Sequence, residues 1–398
     1  MTMSKHGWTY KKLGDLTTTI NGLWTGKKPP FINVAVVRNT NFTKDCKLDM
    51  TNVAFLNVEQ KQYVTRKLYP GDIIVEKSGG SDKQPVGRPI LFNISDGEYS
   101  FSNFTSTLRI STNEISSAFL YKVLFAKYLQ GVTCKMQSKT TGIRNLNFKA
   151  YKSLEIPVPP MGEQEAIVAE LDEINSAVDE LKLQVADLGT LAQATFYDMF
   201  GDPVTNPKAW PVKKLGEIAQ TGTGATPNRR KSKSYYGGTI PWVKTTEVHY
   251  DDIFDTEEKI TDLAIKETNC KIYPPGTILL AMYGQGKTRG QIAKVKISAS
   301  TNQACAAIEL YNSNCNIDFI YEQLKLKYSQ IRSMARGGNQ ANLNLRLVKS
   351  IEIILPPMPL QQEFAARVKA IEEAKAELKV QMVDMQALLA SRMQYWFD

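Results

Sequence analysis

The sequence predicts an α+β chain in which two homologous mixed α/β units are separated by two long helices that pair as an antiparallel coiled coil, with a pseudo-twofold relation between the halves. Three observations predict it. An ordered series of short segments recurs about 200 residues later in the chain. Two stretches of about 40 residues each carry one apolar seam of period 3.5. The charge is segregated, with acid on the first helical stretch and base on the parts between the helices.

The repeat is read from matched anchors. Trp8 to Leu16 (WTYKKLGDL) answers to Trp210 to Ile218 (WPVKKLGEI), and Val36-Val37-Arg38-Asn39-Thr40 to Trp242-Val243-Lys244-Thr245-Thr246. Pro70-Gly71-Asp72-Ile73-Ile74-Val75 answers to Pro275-Gly276-Thr277-Ile278-Leu279-Leu280, Ser102-Asn103 to Thr301-Asn302, and Phe119-Leu120-Tyr121 to Phe319-Ile320-Tyr321. Leu154-Glu155-Ile156 and Pro159-Pro160-Met161 answer to Ile351-Glu352-Ile353 and Pro356-Pro357-Met358. The expected boundaries are a globular unit over 1–158, a helix over 159–201, a second unit over 202–355 and a second helix over 356–398. Within the units, Ile73–Val75 and Ile278–Leu280 read as buried strands launched from Pro-Gly turns. Ala118 to Leu129 and Phe319 to Met334 read as helices, and Ser153 to Val158 and Lys349 to Leu355 as closing strands.

In the first long stretch the seam runs through Ile167, Leu171, Ile174, Val178, Leu181, Val185, Leu188, Ala192, Thr195 and Met199. In the second it runs through Phe364, Val368, Ile371, Leu378, Met382, Met385, Leu389 and Trp396, interrupted by Lys375 and Arg392. Each helix would be about 60 Å long. A single apolar seam cannot hold a helix of that length in water, so the two are expected to bury their seams against each other rather than each on its own globular unit. Paired prolines start each helix. Glu163 and Glu165 suit the positive end of the first helix dipole, and Gly201 followed by Asp202-Pro203 suits its end.

The net charge of the 398 residues is +9. The stretch Glu163 to Phe200 carries −8 and Pro359 to Asp398 carries −1, which leaves +18 on the remainder. Globular parts this basic fit a polyanion, nucleic acid first, although the same charge also serves plain solubility. The five cysteines are widely spaced with no CxxC pair, which fits a reducing cytosol and argues against a disulfide framework or a zinc site. No signal peptide and no apolar run of about 20 residues is present, so a cytoplasmic chain without a membrane span is expected. His6 and His249 are the two histidines, too few for most acid–base or metal schemes.

Three pairs of loops offer binding surfaces. Tyr283-Gly284-Gln285-Gly286-Lys287-Thr288-Arg289-Gly290 is a glycine-flexed loop that presents Gln285, Lys287, Thr288 and Arg289; its counterpart is Glu76 to Lys83, with Lys77, Ser78 and Lys83. Gln suits adenine and Arg suits guanine in the major groove, while Lys is mostly a phosphate ligand. Different side chains at equivalent places are what two readers of two different words need. The second pair precedes each closing strand, with Lys139, Arg144 and Asn145 in one unit and Arg336, Asn339 and Asn342 in the other. The third interleaves base with aromatics: Trp24 with Lys27 and Lys28, and Arg229, Arg230, Lys231 and Lys233 with Tyr235 and Tyr236. Arg38 and Lys244, in the matched anchors, and Tyr283, at the head of the glycine-flexed loop, complete the candidate set. The second pair is equally compatible with an ordinary solvated loop, and a charge run like the third is more often just a wet surface.

Catalytic patterns are missing from the sequence. A phosphate loop of the GxxxxGK[ST] type would need glycine where Ala281 stands. Asn206-Pro207-Lys208-Ala209 lacks the second proline and the aromatic of a base amino-methyltransferase, and Thr221-Gly222-Thr223-Gly224 reads as a turn. Glu257-Glu258-Lys259 supplies the E-x-K of a nuclease but no upstream acid to complete a metal site.

With these residues in hand, the chain resembles the specificity subunit of type I restriction–modification enzymes over essentially its whole length. Trp210 to Ile218, Gly284 to Gly290, Ile353 to Pro357 leading into Gln361-Gln362, and the duplication itself carry the resemblance. It departs most at Lys77-Ser78-Gly79-Gly80, where a GQGKT-like loop would stand. The resemblance implies that each unit is a target-recognition domain reading half of a split, asymmetric DNA word. It implies that the helices set the spacer and dock two modification (methyltransferase) subunits, and that restriction/translocase subunits join them. It further implies no cofactor and no metal in this chain, with S-adenosylmethionine, ATP and magnesium on the partner subunits. The competing expectations are an autonomous DNA enzyme and a scaffold whose basic units bind RNA or acidic partners.

Overall fold

The computed structural model describes residues 6–24, 26, 28–81, 84–140, 143–284, 286–311, 315–335 and 342–398, with residues 139 and 140 described in their backbone alone. The chain divides into two compact units: unit 1 is Met1–Lys182 with Val380–Asp398, and unit 2 is Leu183–Lys379. Two 40-residue helices, Met161–Phe200 and Met358–Phe397, therefore each contribute one half to each unit. Among the described residues no helix is long and apolar enough to cross a membrane.

The two units are built on one plan. In unit 1 a four-stranded sheet runs in the order Thr17–Asn21, Thr105–Ile110, Asp72–Glu76, Pro89–Phe92. In unit 2 the order is Ala219–Thr223, Cys305–Leu310, Ile278–Ala281, Ile292–Lys294. The strands launched from the Pro-Gly turns, Asp72–Glu76 and Ile278–Ala281, are buried at every position, because they lie between neighbours and are covered on both faces. A three-stranded sheet follows in each unit: Ala54–Glu59, Phe31–Val37, Tyr99–Phe101 in unit 1 and Glu258–Ile260, Tyr236–Val243, Ser300–Thr301 in unit 2. A two-stranded ribbon closes each unit, Thr9–Lys12 with Glu155–Val158 and Val212–Lys214 with Glu352–Ile354. Unit 1 adds a sheet of Gln137–Thr140, Ile143–Leu146 and Ser78–Gly80 with no counterpart among the described residues of unit 2.

Strand register sharpens the repeat. Val37 pairs in parallel with Phe101, and Val243 with Thr301, so Ser102 corresponds to Asn302, one residue away from the match read in the sequence. Thr221-Gly222-Thr223 is strand rather than turn, and Gly224 serves close approach: a Cβ there would lie 1.6 Å from the Thr301 carbonyl oxygen. Gly22 does the same in unit 1, 1.9 Å from the Ser102 carbonyl oxygen. The helix expected over Phe319 to Met334 is broken at Lys327 into Ile317–Leu326 and Tyr328–Ser333.

Each globular core takes in both long helices, running in opposite directions. In unit 1 Ile167 and Leu171 of the first helix and Met393 and Phe397 of the second share one core with Phe119, Leu120 and Val123. In unit 2 Phe196 and Phe200 of the first and Phe364 and Val368 of the second join Phe319, Ile320 and Leu324. The Phe196 and Phe364 rings meet edge to face at 5.3 Å. Across the helices in unit 1, the Arg392 guanidinium clasps the Glu170 carboxylate and Trp396 Nε1 donates to it at 3.1 Å. Pairing of the helices and packing on the globular parts thus occur together.

The seam holds in part. Ile167, Leu171, Ile174, Val178 and Ala192 are buried in the first helix and Phe364, Val368 and Ile371 in the second, while Leu181, Val185, Leu188, Leu378, Met382, Met385 and Leu389 are half-buried. Near each C-terminus the buried face moves on by one residue, to Phe196 and Phe200 instead of Thr195 and Met199, and to Met393 and Phe397 instead of Trp396. A straight α-helix slips ~20° per heptad against a 3.5 repeat. Over about four heptads the slip approaches the ~100° between neighbouring residues, which accounts for the shift.

A buried glutamine fixes the start of each long helix. Gln164 Nε2 donates to the Glu114 and Pro159 carbonyls (2.8 and 2.9 Å), and its Oε1 accepts from Ser116 N at 2.8 Å. Gln361 repeats this with the Pro356 carbonyl (2.8 Å) and Asn316 N (3.0 Å). Ser116 and Asn316 themselves cap the following domain helices.

Candidate nucleic-acid interface

The loop that follows each central strand is pinned at both ends. In unit 1 it opens after Glu76 and closes where Gly87 N donates to the Glu76 carbonyl at 2.9 Å. In unit 2 it opens after Ala281 and closes where Gly290 N donates to the Ala281 carbonyl at 2.8 Å. Both closing glycines have positive φ, 99° and 89°. The next loop in the chain is tied to it: Leu146 N donates to the Lys77 carbonyl (2.8 Å), and Leu343 N to the Met282 carbonyl (3.0 Å). The first two loop pairs expected from the sequence thus come together in each unit.

In unit 1 the second loop lies on the first as a strand, with Asn145 opposite Ser78 and Arg144 opposite Gly80, and Ser78 Oγ donates to Asn145 Oδ1 at 2.6 Å. Asn39 Nδ2 reaches the Ser78 carbonyl and Glu76 Oε1, both at 3.4 Å, so the exposed Arg38 stands beside the same loop. Partial burial pulls the Lys77 ammonium below the ordinary lysine range, and its Nζ reaches Asn21 Oδ1 at 3.5 Å. Beneath the loop, Arg88 Nε donates to Glu76 Oε2 at 2.7 Å, and the guanidinium also donates to the carbonyls of Phe42, Thr43 and Asn39. A cavity of about 450 Å³ opens here, lined by Asn39, Gly79, Ser81, Gln84 and Arg88 among others. Sequence reading missed Asn39, Glu76 and Arg88; the ion pair has no signal in the repeat, since register puts Ala281 and Gln291 in the same places in unit 2.

In unit 2 Tyr283 and Lys287 are exposed and Thr288 and Arg289 half-buried. Gly284 and Gly286 take φ of 136° and 63°, values that a side chain would strain. Asn342 is exposed next to Leu343, and Asn344 N-caps the helix Leu345–Lys349, as Asn147 caps Phe148–Lys152 in unit 1. Lys27, Lys83, Gln285, Arg336 and Asn339 lie outside the described residues, as does the side chain of Lys139.

The third loop pair behaves differently. Arg229 makes a two-pronged ion pair with Glu258 (2.6 and 3.1 Å) and stacks over the Tyr236 ring at 4.1 Å. Lys244 Nζ donates to Glu257 at 2.6 Å and to Glu258 at 3.2 Å. The hydrogen bond from Arg229 holds the Glu258 carboxyl below its usual range, and the bond to Glu257 raises the Lys244 ammonium. The E-x-K segment thus serves as ion-pair partners, with Lys259 on Asp255 at 3.1 Å. Lys231 Nζ contacts the Tyr235 hydroxyl at 3.2 Å, and Arg230 and Lys233 are exposed. In unit 1 Lys28 is exposed and donates its backbone N–H to Glu59 at 2.7 Å, at the end of strand Ala54–Glu59.

The curated relatives include the MjaIX specificity subunit of Methanocaldococcus jannaschii, 24% identical over 66% of this chain and 64% of its own length. They also include the EcoR124I/EcoR124II specificity subunit of Escherichia coli, 25% identical over 54% of each chain. The chain thus spans less than two-thirds of those two relatives. Among solved structures, the S subunit of the type I restriction-modification system of M. genitalium aligns over 100% of this chain and 98% of its own, with a TM-score of 0.55 at 15% identity. A structure described as underlying complex assembly and conformational transition of the type I R-M system aligns over 100% and 99%, with a TM-score of 0.58 at 16% identity. These likenesses show a shared fold. A family model for the type I restriction modification DNA specificity domain matches residues 5–185 and again 207–382, and the chain belongs to that family.

Proposed function

We propose that this chain is the sequence-specific DNA-binding subunit of a type I restriction–modification complex, with each unit reading one half of a bipartite, asymmetric site. The observation that carries this reading is that one fold plan occurs twice and brings the same two loops together each time, while the side chains on those loops differ: Lys77, Ser78, Arg144 and Asn145 in unit 1, Tyr283, Lys287, Thr288, Arg289 and Asn342 in unit 2. A repeated frame with unlike faces gives two affinities of similar kind for two different words. Lysine and arginine supply salt-dependent attraction to phosphate, and each good base contact adds discrimination of about 1–3 kcal/mol.

On this reading the two long helices set the spacer between half-sites and dock modification subunits, with restriction/translocase subunits in the full assembly. The chain itself is non-catalytic and works in the cytoplasm. S-adenosylmethionine, ATP and magnesium belong to the partner subunits. Arg229 and Lys244 act mainly within the protein, since Glu257 and Glu258 already compensate their charge.

Selection from a random duplex DNA library, with the modification partner present, tests the proposal. It predicts enrichment of two short words separated by a fixed unread spacer. Enrichment of one uninterrupted word, or none with preferential capture of RNA, would contradict it.

A further inference from the structure

Two tyrosines seven residues apart follow the reading loop in each unit, both on the helix Ser117–Leu129 in unit 1 and on either side of the break at Lys327 in unit 2, and both pairs are used alike. Tyr121 and Tyr321 donate their hydroxyls to the Cys46 and Tyr250 carbonyls, at 2.9 and 2.8 Å. Cys46 and Tyr250 both hold positive φ, 58° and 71°, uncommon for residues with a side chain. The second tyrosine of each pair turns to the reading loop. Tyr328 Oη donates to the Lys287 carbonyl at 2.6 Å, and Tyr128 Oη to the Pro85 carbonyl at 3.3 Å. In unit 2 Arg332 adds a second grip, with Nη1 donating to the Arg289 carbonyl at 3.1 Å and to Tyr328 Oη at 2.9 Å. The Tyr328 ring rests edge-on against Tyr250 at 6.1 Å.

We infer that Tyr128 and Tyr328 are positioning residues that set the base preference of their own unit, with Arg332 assisting in unit 2. The inference rests on the reading of loops 77–87 and 282–290 as the DNA-reading loops. The hydroxyls grip main-chain carbonyls, not side chains, so the brace works whatever residues the loop carries. That is why it recurs while the loop sequences do not. In unit 2 it acts on the residues under test: holding the carbonyls of Lys287 and Arg289 fixes the direction in which both side chains leave the loop. Gly290 makes room for it, since a Cβ there would lie 3.0 Å from Arg332 Cγ and 3.4 Å from the Tyr328 ring. The shorter hydrogen bond and the second grip predict a larger effect in unit 2 than in unit 1.

The test compares Tyr328→Phe, Tyr128→Phe and Arg289→Ala in the full chain bound to its modification subunits. Affinity is measured for the selected duplex, for single-base variants of each half-site and for unrelated duplex DNA. Tyr328→Phe keeps the ring and loses the grip. It should reduce discrimination in one half-site by about three- to tenfold, the usual worth of one neutral hydrogen bond. Discrimination in the other half-site, affinity for unrelated DNA and its salt slope should stay as in the wild type. Tyr128→Phe should do the same to the other half-site, more weakly. Arg289→Ala separates the two claims. If it weakens all duplexes equally, loop 282–290 does not read bases, and the brace falls with that reading. If it shifts preference in one half-site while Tyr328→Phe leaves both unchanged, or alters both, the loop reading stands and the brace is refuted.

Discussion

Replacing the buried ion pair of unit 1 by its unit 2 equivalents should cost far less than removing either partner alone. Glu76 and Arg88 have side chains 2% and 5% exposed and meet at 2.7 Å beneath the loop 77–87. Glu76→Ala leaves the Arg88 charge buried, still donating to the carbonyls of Phe42, Thr43 and Asn39 but with no counter-ion in contact. Breaking a buried pair from one side costs about 3–5 kcal/mol, and the remaining carbonyl acceptors favour the lower end. Arg88→Gln leaves the carboxylate with the Asn39 amide as partner, at 3.4 Å, and falls in the same range. The double variant, Glu76→Ala with Arg88→Gln, has no unpaired charge and matches Ala281 and Gln291 of unit 2. Its loss should be about 1–2 kcal/mol, from packing alone. The cycle therefore predicts a coupling of about 4 kcal/mol or more between the two sites, so the two single losses are far from additive. Amide hydrogen exchange of the strand Asp72–Glu76 reads the stability of this unit without interference from the other. A double variant as unstable as the sum of the singles would refute the reasoning, because it would mean that the pair has no worth beyond its separate contacts.

Gly224→Ala puts a methyl on the Thr301 carbonyl and should destabilise unit 2 by about 3 kcal/mol or more, while Gly222→Ala, whose Cβ meets only the Tyr273 hydroxyl end, should cost less; thermal unfolding of the two variants gives the order. Glu322 is buried, which raises its carboxyl above the ordinary glutamate value despite Lys325 at 3.4 Å. The folded state then holds its proton more tightly than the unfolded chain, so stability falls as pH rises from about 4.5 towards the raised value. Glu322→Gln should remove that fall and leave the variant the more stable of the two at pH 7, and a pH series of urea unfolding curves checks it. Gln164→Leu should loosen the start of the first long helix by about 2 kcal/mol, because it leaves the Glu114 and Pro159 carbonyls and Ser116 N–H without this partner, and exchange rates of residues 161–168 report it.

The large-scale plan was legible in the sequence because repetition and period survive substitution. The matched segments Val36–Thr40 and Trp242–Thr246 keep their correspondence in strand register, since both end a strand on the same parallel neighbour. What escaped was set by geometry that a one-dimensional match lacks. Ser102 and Asn302 are equivalent by register, yet neighbouring residues look better aligned by letter. The heptad count placed Thr195 and Trp396 on the seam, where the slow drift of a straight helix turns Phe196 and Phe397 inward instead. Among the candidate residues, basic letters alone could not tell the ion-paired Arg229 and Lys244, whose partner Glu258 stands about 15–30 residues away, from the exposed Arg38, Lys287 and Arg230. Tyr128 and Tyr328 carried no signal as single residues. Only their hydrogen bonds to two dissimilar loops mark them.

The central claim is that the long helices set the distance between two readers. Deleting one heptad from each helix in its middle, residues 182–188 and 379–385, and repeating the duplex selection tests it most directly. One heptad is ~10 Å of helix, so the two half-words should be kept and the spacer should shorten by up to about three base pairs at 3.4 Å each. An unchanged spacer, or a change in either half-word, would contradict the account.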